Sequence, residues 1–125
     1  MKIKVAELTG EALNWAVANA AGVAVKVGGS GTVYHADCPK EYSPSTNWSQ
    51  GGPIIEREHI DIEHHRQSFG DGIPHWHAMH PKNKGGLIRC YGYGPTALVA
   101  AMRCFVVSKL GEEVDLPAAL NKKML

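Results

Sequence analysis

Histidine is the residue this chain concentrates: seven in 125, six of them between residues 59 and 80. The spacing with the most metal-binding character is His75-x-His77-x-x-His80. On an extended segment residues 75 and 77 share a face, so their imidazoles can meet one ion. His80 has the opposite parity and joins them only where the strand breaks at or before Met79, and Pro81 permits such a break. Glu63, His64, His65 and Asp71 offer further donors. The pattern matches neither the HExxH helix of zinc peptidases nor the His/Cys signature of zinc deaminases with its acid–base glutamate. Solvent-facing histidines on a hairpin are therefore the expectation, with no metal and no cofactor assigned. A metal-dependent enzyme using His75, His77 and His80 stands as a second alternative.

Nucleophilic chemistry finds less support. Cys38, Cys90 and Cys104 form no CxxC pair, and no Gly-x-Ser-x-Gly elbow is present. Cys104, one residue before Phe105, reads as helix-edge packing. Glu56, Arg57 and Glu58 read as adjacent opposite charges on a solvated strand. No catalytic residue is assigned, and a binding module is expected in preference to an enzyme.

Binding chemistry fits two stretches. The first is Tyr42-Ser43-Pro44-Ser45-Thr46-Asn47-Trp48-Ser49-Gln50-Gly51-Gly52-Pro53, inside a polar connection from Ala36 to Pro53. Its prolines and Gly-Gly argue against a long regular element, and connections of that length are often functional. Trp48 is read either as a plug into the core or as a platform for a planar ligand. In the second case Ser45, Thr46, Asn47 and Gln50 supply polar contacts. The second stretch is Gly92-Tyr93-Gly94-Pro95-Thr96, which opens a helix whose N-terminus favours an anion. Pro95 removes one donor, Thr96 adds a hydroxyl, and Arg57 or Arg103 would give charge-assisted contacts to a phosphate. Arg103 lies off the apolar stripe, so exposure is its default. If Trp48 and its loop fold over this helix start, a pocket for an aromatic, phosphorylated small molecule results.

The elements that must position these residues centre on 94–111. Leu98, Val99, Met102, Phe105, Val106 and Leu110 recur on one helix face. Gly94 as N-cap, Pro95 in the first turn, and Lys109 with Gly111 at the end bound it. A second helix runs from the Thr9 cap, with Glu11 in its first turn, through the stripe of Leu13, Ala16, Val17 and Ala20 to Gly22. Trp15 sits off that stripe, at the helix edge under a loop. Val23–Val27 and Thr32–His35 flank Gly28-Gly29-Ser30-Gly31 as a hairpin, since the glycines lack a P-loop ending. Ile3 and Val5 share one face of an extended start, and Ile60 and Ile62 one face of a later strand. His75–His80 and Leu87–Tyr91 are further strands, the latter feeding the 94–111 helix. The expected class is α+β, a mainly antiparallel sheet of five or six short strands with two helices packed on it.

Composition sets the outer limits. At 125 residues and 44% apolar the chain suits one globular domain, residues 1–125. Thirteen basic against twelve acidic residues, net +1, gives nucleic acid no electrostatic reason to bind. An odd number of cysteines suits reduced thiols in the cytoplasm. No apolar run approaches a membrane span. A uniform sheet face left to cover makes a homo-oligomer the expectation.

Three blocks carry a family resemblance: Glu7-Leu8-Thr9-Gly10-Glu11-Ala12-Leu13-Asn14-Trp15-Ala16-Val17-Ala18, the stretch Tyr42 to Glu58, and Gly94 to Val106 followed by Gly111-Glu112-Glu113-Val114. In these the chain resembles the NinX-like proteins of lambdoid phages and enterobacterial prophages. The resemblance implies a phage or prophage origin and an accessory role in the host cytoplasm. It supplies no catalytic residues, and residues 59–86 depart from the expected pattern. Joined to the residue reading, it suggests a non-enzymatic module that sequesters a host nucleotide-type signal used in anti-phage defence, such as a cyclic nucleotide. A module that inhibits a host protein or modulates phage development is the alternative.

Overall fold

Among the described residues the elements follow one another as β1 (Lys2–Lys4), α1 (Gly10–Ala21), β2 (Val25–Val27), β3 (Val33–His35), α2 (Trp48–Glu58), β4 (Asp61–His65), β5 (His75–Met79), β6 (Tyr91–Gly94), α3 (Ala97–Leu110) and β7 (Glu113–Asp115), with a 3-10 turn over Val5–Glu7 and helical backbone again at residues 118–120. The computed structural model describes residues 2–65, 75–81 and 90–120. The strands form three antiparallel sheets, β1–β7, β2–β3 and β4–β5–β6. The α+β class stands, with more helices than the two expected and the strands divided among small sheets. The sequence expectations for residues 66–74 and 82–89, including the strand start at Leu87 and the basic turn, lie outside the described residues.

α3 is the centre of the molecule. Leu98, Ala100, Ala101, Met102, Cys104, Phe105, Val106 and Ser108 are buried on it, far more than one stripe. It is enclosed by β5 and β6, by α1 and by α2, so it is a core helix and not the floor of a single sheet. Leu110, expected on the buried face, is 41% exposed at the helix end. The cap also differs from expectation. Thr96, not Gly94, is the N-cap, its hydroxyl oxygen accepting from the Val99 N–H at 3.1 Å. Pro95 lies just before the helix. A threonine cap outcompetes glycine because it satisfies an N–H that would otherwise lack a partner.

α1 matches its sequence signals, from Thr9 at the cap to Gly22 in the left-handed region at φ 75°. Glu11 does more than favour the helix dipole, since its carboxylate accepts from the Val33 N–H at 2.6 Å and anchors the β2–β3 hairpin. Trp15 is partly buried against the core.

α2 overturns the reading of 36–53 as irregular and of 54–58 as a strand. The helix starts inside the supposed loop and runs through Gly51, Gly52 and Pro53. Local propensity argues against this, since a proline in a helix interior costs about 3 kcal/mol. Tertiary packing overrides it. Asn47 caps the helix, with its Oδ1 accepting from the Ser49 N–H at 2.9 Å, and Ile54 enters the core. Gly51 is needed because a Cβ there would overlap the Pro44 carbonyl and lie 2.6 Å from Leu98 Cδ2. His59 ends the helix in the left-handed region, φ 57°.

The β4–β5–β6 sheet lays one face on α3. Gly92 makes this approach possible, since a Cβ there would overlap Ala100 O and come within 2.9 Å of Cys104 Cβ. Ile60 is buried and Ile62 packs against the core, while Asp61 and Glu63 are exposed, as their alternation predicts. Among the described residues a strand covers Tyr91–Gly94, so Gly92, Tyr93 and Gly94 are strand residues, not a turn.

Candidate functional site

The two stretches expected to form one pocket have different fates. α2 does pack its first turns against the start of α3, through Gly51 and Leu98. The polar side chains of the loop, however, bond to the protein itself. Ser45 is buried, its N–H and hydroxyl donating to Asn14 Oδ1 at 3.0 and 2.7 Å. Asn47 Oδ1 accepts from Ser49 N and Oγ. Gln50 Oε1 accepts from the Ser43 N–H at 2.6 Å while its Nε2 donates to the Glu41 carbonyl at 3.0 Å. Thr46 is exposed, and Trp48 is 56% exposed on the first turn of α2. Arg57 is an exposed helix residue whose Nε lies 3.3 Å from Glu58 Oε2, and not part of a strand.

At the other stretch β6 alternates. Gly94 faces α3, where a Cβ would sit 2.8 Å from Val99 Cγ1, and Tyr93 points away with 45% of its surface exposed. Thr96 is occupied in capping α3. Arg103 departs furthest from expectation. It is partly buried, with Nη1 donating to the Tyr93 carbonyl at 2.7 Å and Nε to the Leu8 carbonyl at 3.0 Å. Burial lowers its pKa from the ordinary arginine value, though a guanidinium stays charged at neutral pH. The off-stripe position looked exposed because one of the carbonyls that cover it, that of Leu8, is 95 residues away.

Arg103, Val5, Ala6, Tyr91, Tyr93 and Pro95 line a cleft of about 310 Å³ with mostly apolar walls. A shallower hollow of about 450 Å³ adjoins it through Ala6, Tyr91 and Val107 and ends at Lys4, Glu112 and Glu113. Two of the five guanidinium N–H donors of Arg103 are used on the carbonyls above. Among the described residues no carboxylate forms an ion pair with it. Trp48, Thr96 and Arg57 are not among the lining residues.

The histidines also separate. His77 stacks on Tyr93, ring centroids 4.7 Å apart and 17° from parallel, and tilts against Tyr91 at 5.1 Å. His80 lies on the opposite face, buried, its Nε2 2.9 Å from Glu58 Oε1. His77 and His80 are therefore not brought together, because His80 keeps the opposite parity; the side chain of His75 lies outside the described residues. Among the described residues no three His, Cys, Asp or Glu side chains are gathered to hold a metal ion. Glu58 is contacted from three sides: His80 Nε2 at 2.9 Å, Lys109 Nζ at 3.5 Å and Arg57 Nε at 3.3 Å. Burial alone would raise its pKa; the His80 hydrogen bond, Lys109 and Arg57 outweigh that and hold it below the ordinary value. Cys104 is buried, not at the helix edge, and donates its thiol to the Cys90 carbonyl at 3.1 Å. Sequence reasoning missed the Glu58 cluster, having placed Glu58 on a surface strand.

A family model described as bacteriophage P22 NinX matches residues 4–109. The matched span runs across residues 59–86, beyond the three blocks that carry the resemblance in the sequence. No curated protein sequence matches the chain. No helix among the described residues is long and apolar enough to cross a membrane.

Proposed function

We propose, for a chain that belongs to the bacteriophage P22 NinX family, that it is a non-enzymatic module binding a planar, phosphorylated small molecule in the cleft beside Arg103. One observation carries this reading: a partly buried guanidinium lines an apolar cleft between tyrosines, with no carboxylate paired to it among the described residues. A buried charge is costly unless compensated, and a phosphate offers the compensation with bidentate geometry. Tyr93, whose ring stacks on His77, keeps 45% of its surface exposed and offers aromatic surface to a base. The site is thus narrower than the sequence suggested: Tyr93, Gly94 and Arg103 belong to it, and Ser45, Asn47, Gln50 and Thr96 act within the scaffold.

In a phage protein, such a module would act in the host cytoplasm by holding a host nucleotide signal away from its receptor. Calorimetric titration with nucleoside mono- and diphosphates, cyclic nucleotides and ADP-ribose derivatives tests it. Saturable binding by one class, lost in Arg103→Gln, is expected. Absence of heat from every one overturns the reading.

A second reading rests on Trp48. A tryptophan 56% exposed on a well-packed helix is the type of residue that anchors protein interfaces. Recovery from host extract of one stoichiometric partner, lost in Trp48→Ala, would favour a module that inhibits a host protein.

A further inference from the structure

The cleft beside Arg103 does not end at the guanidinium. Tyr93, Pro95 and Arg103 line the cleft alone, Ala6, Tyr91 and Val107 are walls of both the cleft and the adjoining hollow, and Lys4, Glu112 and Glu113 line the hollow alone. β6 and α3 run antiparallel, since Gly94 lies beside Val99 and Gly92 beside Cys104. Val107 therefore stands one turn beyond Arg103, about 6 Å along the helix axis, and Tyr91 stands a similar step, roughly 6.7 Å, beyond Tyr93 on the strand. Both steps lead towards the hollow. α3 ends at Leu110, and Glu112 and Glu113 follow it, with Glu113 opposite Lys4 in the β1–β7 pair. From Arg103 the groove thus crosses an apolar stretch and reaches two carboxylates.

We infer that the ligand of this groove is a phosphodiester with a second ribosyl group on its far side, the chemistry of a linked dinucleotide, and not a nucleotide that ends in a free phosphate. The inference rests on the reading of Arg103 as the phosphate contact and names the class of phosphate. Charge is its first support. Among the described lining residues one guanidinium and one ammonium stand against two carboxylates, which leaves no surplus for a dianion. A phosphate monoester carries about −1.5 to −2 at neutral pH, whereas a diester keeps a single negative charge. Glu112 and Glu113 would repel the additional charge of a terminal phosphate. Hydrogen bonding is the second support. Ionised carboxylates only accept, so they favour a donor, and the vicinal hydroxyls of a ribose are donors that protein carboxylates bind. The spacing agrees with both. The step of about 6 Å from the Arg103 row to the Val107 row is close to the length of one sugar unit. With a base on Tyr93 and the diester at Arg103, the second ribose lies over Tyr91 and Ala6 and turns its hydroxyls to the carboxylates. The cleft of about 310 Å³ is at the small end of ligand sites, and the hollow of about 450 Å³ gives the second group its room.

The test titrates the full chain by calorimetry with three probes, each made with all four bases. They are the nucleoside 5′-monophosphate, its methyl ester (a diester without a second sugar) and the 3′,5′-linked dinucleoside monophosphate. The dinucleoside should bind roughly tenfold tighter than the methyl ester, and the methyl ester several-fold tighter than the 5′-monophosphate. Glu112→Ala combined with Glu113→Ala, at two exposed side chains, should leave the urea midpoint unchanged. In that variant the advantage of the dinucleoside over the methyl ester should fall to about twofold or less, and the 5′-monophosphate should gain affinity. A dinucleoside that binds no tighter than the methyl ester, or an advantage that survives the double substitution, overturns the inference and leaves the Arg103 reading in place. Absence of binding by all three probes overturns both.

Discussion

The loop before α2 and the cleft beside β6 contain similar residues, aromatic rings among polar groups and glycines, yet they serve opposite ends. In the loop, Ser45, Asn47 and Gln50 form hydrogen bonds within the protein, four of them at or below 3.0 Å to Asn14, Ser43 and Glu41. Beside β6, Arg103 leaves donors directed at a cavity and Tyr93 leaves a ring exposed. Polar composition alone does not distinguish the two. The difference is whether each group has a partner within the fold, because a satisfied polar group has little left to offer a ligand.

The sharpest way to break this contrast is Asn14→Leu. It leaves the buried Ser45 N–H and hydroxyl without their acceptor, at roughly 1–3 kcal/mol for each buried group. A loss near 3 kcal/mol in urea unfolding is expected, with cleft affinity per folded molecule unchanged. A loss of affinity as large as the loss of stability would show that the loop belongs to the site.

Arg103→Gln should act in the opposite sense. Loss of a charge-assisted, bidentate phosphate contact is expected to weaken nucleotide binding about a hundredfold, close to 2.7 kcal/mol. Stability should fall too, by roughly 2–3 kcal/mol, for the two charge-assisted carbonyl contacts. Affinity per folded molecule left unchanged would make Arg103 a structural tie alone.

How far each region could be read from sequence follows the same division. α1 and the β2–β3 hairpin were legible because Thr9, Glu11, Gly22 and the Gly28–Gly31 turn signal locally. α2 was not, since Gly51 and Pro53 look like helix breakers until Pro44 and Leu98 are placed against them. Tyr93 and Arg103 were recognised as candidates, but the carbonyls that orient Arg103 belong to Leu8 and Tyr93, and Leu8 is 95 residues away. Parity separates His77 from His80, whereas the strand register that pairs His77 with Glu63 is a long-range property. The direction of Trp48, left open between a plug into the core and a ligand platform, is one that no local signal fixes.

Glu58 extends the contrast to pH. Its pKa is lowered in the fold, so the unfolded chain binds its proton more readily. The stabilisation is present in full above the ordinary carboxylate range and is lost as pH falls through the folded value. The stability difference between the wild type and Glu58→Gln should therefore shrink between about pH 6 and about pH 3, followed by urea midpoints. Cleft binding measured above that range should not change. A difference that stays constant across it would exclude the Glu58 charge as the cause.

The thiols give a smaller and purely structural readout. Burial, with Cys90 beside it, pushes Cys104 up to about 12 despite the hydrogen bond from the His80 backbone. Cys90 is buried and Cys38 exposed. One thiol per chain should react quickly with a disulfide reagent in native buffer, and all three in denaturant. Two rapid thiols would mean that β6 lifts readily from α3, and the cleft with it.

Trp48→Ala should do least to the cleft and discriminates best. At 56% exposure the indole buries less than half of its surface, so its loss should cost no more than about 2–3 kcal/mol in stability. It is not a lining residue of the Arg103 cleft, so nucleotide affinity should stay within twofold of the wild type. A tenfold fall, with stability preserved, would mean that bound ligand spans from β6 to α2. The loop and the cleft would then be two walls of one pocket, and the hydrogen bonds of Ser45, Asn47 and Gln50 would serve to hold Trp48 ready for the base.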